Sequence, residues 1–161
     1  METIYFDTLQ FLYHLALAIL IGGALVLGAA AAPAIFASMR SRGDAGAIFG
    51  AVLGRFDGLA ILCVVLVVVT SVLKAAAFEV TGVPEARLVA RWIALLVLCG
   101  ATLYSSAWAS PVARSIRAQT AGWDDLGDDA PLRREFQSLH RSARRAMTVA
   151  ILAGVVALFL S

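Results

Sequence analysis

The chain has 161 residues, of which 61% are hydrophobic and 15% charged, with a formal net charge of +2 at neutral pH and a mean hydropathy of +0.87. That balance lies far outside the composition of a soluble domain and marks an integral membrane protein. Apolar stretches occupy most of the length, so a separate soluble domain is excluded, and so small a basic excess gives no reason to expect nucleic acid as a partner.

Spanning a bilayer takes roughly 20 apolar residues per helix, and four such stretches are present, at about residues 9–39, 47–77, 88–112 and 130–160. The expected fold is therefore all-α, a single antiparallel four-helix transmembrane bundle over residues 1–161.

The first stretch contains YHLALAILIGGALVLGAAAAPAIF, residues 13–36, whose Ala tract looks like a leader-peptidase site. A leader has a basic n-region and a short apolar core. The residues before Tyr13 instead carry Glu2 and Asp7 with no Lys or Arg, so this helix is expected to be retained. At 100° per residue Asp7, Gln10 and His14 fall on one face, giving its outer end a polar side.

The second stretch opens with Gly46, Gly50, Gly54 and Gly58 at successive steps of four. Small residues let membrane helices approach closely, and the first helix carries Ala24, Gly28 and Ala32 at the same spacing. The two ridges are expected to meet. Asp57 lies beside the glycine row and about 200° from Arg55, so its expected partners are Arg144, Arg145 or His140 from the fourth helix, either as an ion pair at headgroup level or as a proton or ion position.

The third helix turns Cys99, Thr102, Ser105 and Ser106 to one side, and Pro111 is expected to kink or end it. Those hydroxyls read as groups satisfied within the bundle, for instance on their own i−4 carbonyls, or as a path for a solute. Arg91 shares the Thr102 face and can approach the outer mouth near His14. Trp92 and Trp108 suit interfacial anchors. Cys63 and Cys99 lie within apolar spans, lack metal-type spacing, and are expected as free thiols.

The loop WDDLGDDAPLRREF, residues 123–136, does not have the spacing of a calcium loop. Asp129 is expected to cap a fourth helix with Pro131 in its first turn. That helix presents Leu132, Phe136, Leu139, His140, Ala143 and Met147 on one face and Arg134, Arg141 and Arg145 on another, suited to anionic headgroups or to positive-inside anchoring.

Orientation follows from basic residues in short loops, which stay cytoplasmic. One side holds Arg40, Arg42, Arg55, Arg114, Arg117, Arg133, Arg134, Arg141, Arg144 and Arg145; the other holds Lys74, Arg87 and Arg91. Both termini are thus expected outside, periplasmic in a bacterial-type inner membrane.

Ionisable groups at membrane depth are functional candidates. They are His14 with Asp7, Gln10 and Arg91 at the outer mouth, and Asp57 with Arg55, His140 and Arg144 at the inner side. A haem shared by the two histidines is excluded by depth, since helix rise separates them by about 25 to 30 Å. Haem or copper on a single histidine stays open, and no resident cofactor is expected. The sequence has no nucleophile elbow, zinc-protease motif or phosphate loop, so a non-enzymatic role is expected.

The segments APAIF (32–36), AGAIFGAVLGRF (45–56), the Pro111 end of the third helix and FQSLH (136–140) together resemble the transmembrane protein 205-like family, a resemblance that covers nearly the whole chain. It implies a four-helix membrane domain and a small transport, assembly or membrane-homeostasis role. The family pattern places Ser and Asn three and seven residues after the histidine; here Ala143 and Met147 stand there, which argues against a polar site around His140. HLALAILIGG (14–23) and RFDGLAILCVVLVVVTSV (55–72) resemble copper resistance D-type membrane proteins, implying copper uptake. Met1, Met39 and Met147 form no thioether ladder for Cu(I). As partners the chain suits the lipid bilayer, a second copy, or a larger membrane complex to which it is an accessory subunit.

Overall fold

The computed structural model describes residues 2–80, 82–127 and 129–161, with the side chains of Glu2 and Asp124 outside the description. Among these residues four helices are long and apolar enough to cross a membrane: α1 (Thr3–Ser38), α2 (Arg42–Glu79), α3 (Ala86–Gln119) and α4 (Pro131–Phe159). Each of α1 and α3 is flanked by α2 and α4, closing a four-cornered bundle.

Large apolar side chains face outward all around it, among them Phe11, Leu62, Val72, Leu96 and Leu152. In water such a belt would be unfavourable, whereas against lipid tails it is the solvated surface. The interior is built from Tyr13, Leu17, Leu20, Cys63, Val64, Val67, Leu95, Leu98 and Ala157, contributed by all four helices. Gly154 of α4 allows a close approach: a Cβ there would lie 2.9 Å from a terminal methyl of both Ile21 and Leu98.

α2 begins before the apolar pattern does, because Ser41 Oγ accepts from the Asp44 amide at 3.0 Å and caps the first turn. The helix thus starts within the polar residues ahead of the apolar run. α3 does not end at Pro111 but continues to Gln119. A proline removes one amide donor and crowds the preceding turn; here the turn Tyr104–Ala109 widens into π geometry, with the Ser110 amide bonding the Ser105 carbonyl. Pro33 in α1 is accommodated likewise after the π turn Leu27–Ala31. A third π turn, Ala75–Glu79, ends α2.

The glycine row has a different use from the expected one. Gly46 lies against the guanidinium of Arg117, and Gly54 lies within ordinary contact of Arg114, both from α3, while Gly28, Gly50 and Gly58 have open space where a side chain would be. Because α3 stays helical past Pro111, its arginines reach the start of α2, and the row forms a slot for them. Of the expected α1 ridge Ala24 does pack on α2, but against Phe56 and Ala60 rather than the glycines, with the Phe56 ring seated on Gly23. Ala32 is half-buried.

Asp129 does not cap α4. The cap position is Ala130, without a side-chain bond, and Asp129 forms an exposed pair with Arg134 at 3.1 Å. Its loop neighbour Asp128 lies outside the described residues. The loop folds back through Trp123, whose ring meets Phe136 edge-on and whose carbonyl accepts from Arg133. Cys63 and Cys99 are both free thiols.

Candidate functional site

A chain of polar contacts at the end of the bundle that holds residues 10, 74, 91 and 161 links all four helices. Lys74 of α2 is 1% exposed and Arg91 of α3 is 5% exposed. Both cations converge on Glu79: Lys74 Nζ lies 3.4 Å from its carboxylate, and an Arg91 Nη donates to the other oxygen. Lys74 also donates to Gln10 Oε1 of α1. That contact turns the amide so that Gln10 Nε2 faces His14 Nε2 at 3.2 Å. The same imidazole nitrogen lies 2.9 Å from Ser161 Oγ, just beyond α4.

Aromatic rings line the ammonium. Lys74 Nζ is 5.5 Å from the Phe6 ring centre and 5.0 Å from that of Tyr13, distances at which a ring face stabilises a cation. Tyr13 is fully buried, with Arg91 on its ring at 6.0 Å and its hydroxyl donating to the Ala157 carbonyl at 3.5 Å. Thus Tyr13 ties the ion cluster to α4.

Outside this cluster a pocket of about 380 Å³ opens at the α2–α3 turn, lined by Glu79, Glu85, Arg87 and Arg91 with Leu88 and Leu160. Arg87 donates to the Leu160 carbonyl at 3.2 Å and to the Phe159 carbonyl at 3.4 Å. It thereby satisfies carbonyls left open at a helix C-terminus and complements the dipole there.

Of the residues expected at this mouth, His14, Gln10 and Arg91 belong to one connected cluster. Asp7 is exposed and makes no hydrogen bond or ion pair among the described residues. Lys74, Glu79 and Tyr13 were not among the expected site residues. Lys74 was readable as a charge near the end of an apolar run, but Glu79 was not: five residues on, an α-helix would turn it about 140° away. The i→i+5 bonding of the π turn places it on the Lys74 face.

At the other end the expected grouping of Asp57 with Arg55, His140 and Arg144 is not formed. Asp57 is buried and pairs with Arg114 of α3 at 2.6 Å, and Arg117 donates to the Gly43 carbonyl at 2.7 Å. Arg55 and Arg144 are exposed, and His140 stacks parallel to Phe136 at 6.0 Å. This end is a clasp between α2 and α3. Between the two ends, Ser105 donates to the Ala143 carbonyl of α4 at 3.1 Å, whereas the buried hydroxyls of Ser71, Thr102 and Ser106 have no partner among the described residues.

No three His, Cys, Asp or Glu side chains come together as a metal set among the described residues. His14 is flanked by an amide and a hydroxyl, and the same amide carries the Lys74 ammonium, a setting whose positive charge opposes a metal cation.

Fold and site together define a multi-pass, all-helical membrane protein with a buried ion cluster at one end. The family described as Domain of unknown function (DUF4149) matches residues 15–121, and the chain belongs to that family. The matched segment contains the Lys74–Glu79–Arg91 cluster and the Asp57–Arg114 pair. No curated protein and no solved structure matches the chain.

Proposed function

We propose that this is a non-enzymatic inner-membrane protein of the transmembrane protein 205-like kind, with both termini periplasmic, that handles a small polar solute at the Lys74–Glu79–Arg91 cluster. The burial of two cations on one half-buried carboxylate near the end of an apolar bundle carries the reading. Packing alone does not ask for them, since desolvating ions costs several kcal/mol each and apolar replacements of similar volume are often as stable. Charges kept at membrane depth mark solute or ion pathways. The partnerless hydroxyls of Ser71, Thr102 and Ser106 give the bundle interior further polar positions. Exposed Arg134, Arg141, Arg144 and Arg145 at the opposite end fit anionic headgroups.

The test compares solute distribution between cells and medium in a deletion strain complemented with wild type or with the charge-free variant Lys74→Met/Glu79→Gln/Arg91→Leu. The expected result is a distribution restored by wild type and not by the equally expressed triple variant. Restoration by the variant, or no difference between deletion and wild type, overturns the proposal.

A further inference from the structure

We propose that the pocket at the α2–α3 turn binds a singly charged oxyanion group, a carboxylate or a phosphate ester, clamped between Arg87 and Arg91. This deepens the solute-handling reading above by naming the ligand class, and rests on it.

The charge count points to an anion. Lys74 and Arg91 are both buried and share one carboxylate, Glu79, which leaves one positive charge uncompensated in a region where isolated charges are expensive. At the rim Glu85 and Arg87 cancel. The charged side chains lining the pocket balance, so the excess is that of Lys74 behind Glu79, and one monoanion brings pocket and cluster together to neutrality.

Geometry gives the same sign. Arg87 and Arg91 stand one turn apart on α3, both lining the pocket; like charges at this spacing repel unless something negative lies between them. Arg91 is held by Glu79 through one terminal nitrogen, while its buried Nε has no partner among the described residues. Arg87 is anchored on the α4 end carbonyls through Nε and one terminal nitrogen. Two anchored guanidinium groups line one space, each with a terminal nitrogen outside these bonds, and such groups suit the oxygens of a carboxylate or phosphate. Glu79, on the π turn that ends α2, then stays with Lys74 as the incoming anion takes over part of Arg91. The pocket is open at the turn, so either a free solute or the phosphate of a lipid headgroup can reach it.

Thermal unfolding of the full chain, purified in a phosphate-free maltoside detergent, tests this. Inorganic phosphate and acetate are titrated against chloride at matched ionic strength, and phosphatidylglycerol is added in a separate arm. The expected result is a saturable rise in melting temperature, with Arg87→Gln weakening the apparent affinity about tenfold or more, as loss of a charge-assisted bond does. The exposed, remote variant Arg40→Gln leaves it unchanged. A response to the soluble anions identifies a free solute; a response to phosphatidylglycerol alone identifies a headgroup. Because Arg87 is exposed, its variant folds without disturbing the core, and Glu79→Gln, which removes the competing carboxylate, tightens binding. No response from any probe, or equal responses in wild type and Arg87→Gln, overturns the oxyanion site. Solute distribution that still depends on the cluster would then leave the broader function standing.

Discussion

Lys74 and Glu79 form a 3.4 Å ion pair across five residues of one helix, a spacing that an α-helix does not bring to one face. The π turn at the end of α2 makes the pair, and with it the point where Arg91 and Gln10 converge. A local widening of the helix thus assembles a site from all four helices.

Removing one member of this cluster is expected to be worse than removing all three charges. Glu79→Ala leaves the buried Lys74 and Arg91 without their shared counter-charge and should destabilise by about 3–5 kcal/mol, whereas Lys74→Met/Glu79→Gln/Arg91→Leu should be near neutral. Denaturant or thermal unfolding in detergent measures both. A single variant as stable as wild type would show that the cluster is hydrated rather than buried.

The glycine row should respond unevenly. Gly46→Val puts methyl groups where the Arg117 guanidinium lies and should displace it from the Gly43 carbonyl, costing about 0.5–1.5 kcal/mol for the lost hydrogen bond. Gly50→Ala and Gly58→Ala, with open space above them, should be neutral or stabilising by about 0.5–1 kcal/mol through helix propensity. Equal effects at all these positions would argue against the arginine slot.

Gly154 tests the packing of α4. Substitution by Val overfills the gap between Ile21 and Leu98 and should cost about 1–3 kcal/mol, read as a lower melting temperature. Gly100, which has open space around it on α3, is the control: Gly100→Ala should not lower it.

For orientation, a reporter fused after Ser161 is expected to read periplasmic and one inserted after Thr120 cytoplasmic. The reverse pattern would place the ion cluster on the cytoplasmic side.

Period and composition were enough to read the class of fold and the four spans, because a lipid-facing helix must be apolar over its whole length whatever it packs against. His14, Gln10 and Arg91 were legible as site candidates because polar groups stand out in such helices. The partners were not legible. Asp57 was assigned to α4, yet Arg114 holds it, because α3 absorbs Pro111 in a π turn instead of stopping there.

The sequence by itself determined a four-helix membrane bundle, an asymmetric distribution of basic residues and a polar N-terminal end to the first helix. These follow from residue spacing and solvent, which act locally. Only the tertiary structure decided which charges meet. Glu79 reaches Lys74 through a departure from α geometry, and Arg114 and Arg117 reach the glycine row because a helix continues through a proline; both depend on how neighbouring helices stabilise a non-ideal turn, and residue spacing along one helix does not carry that information.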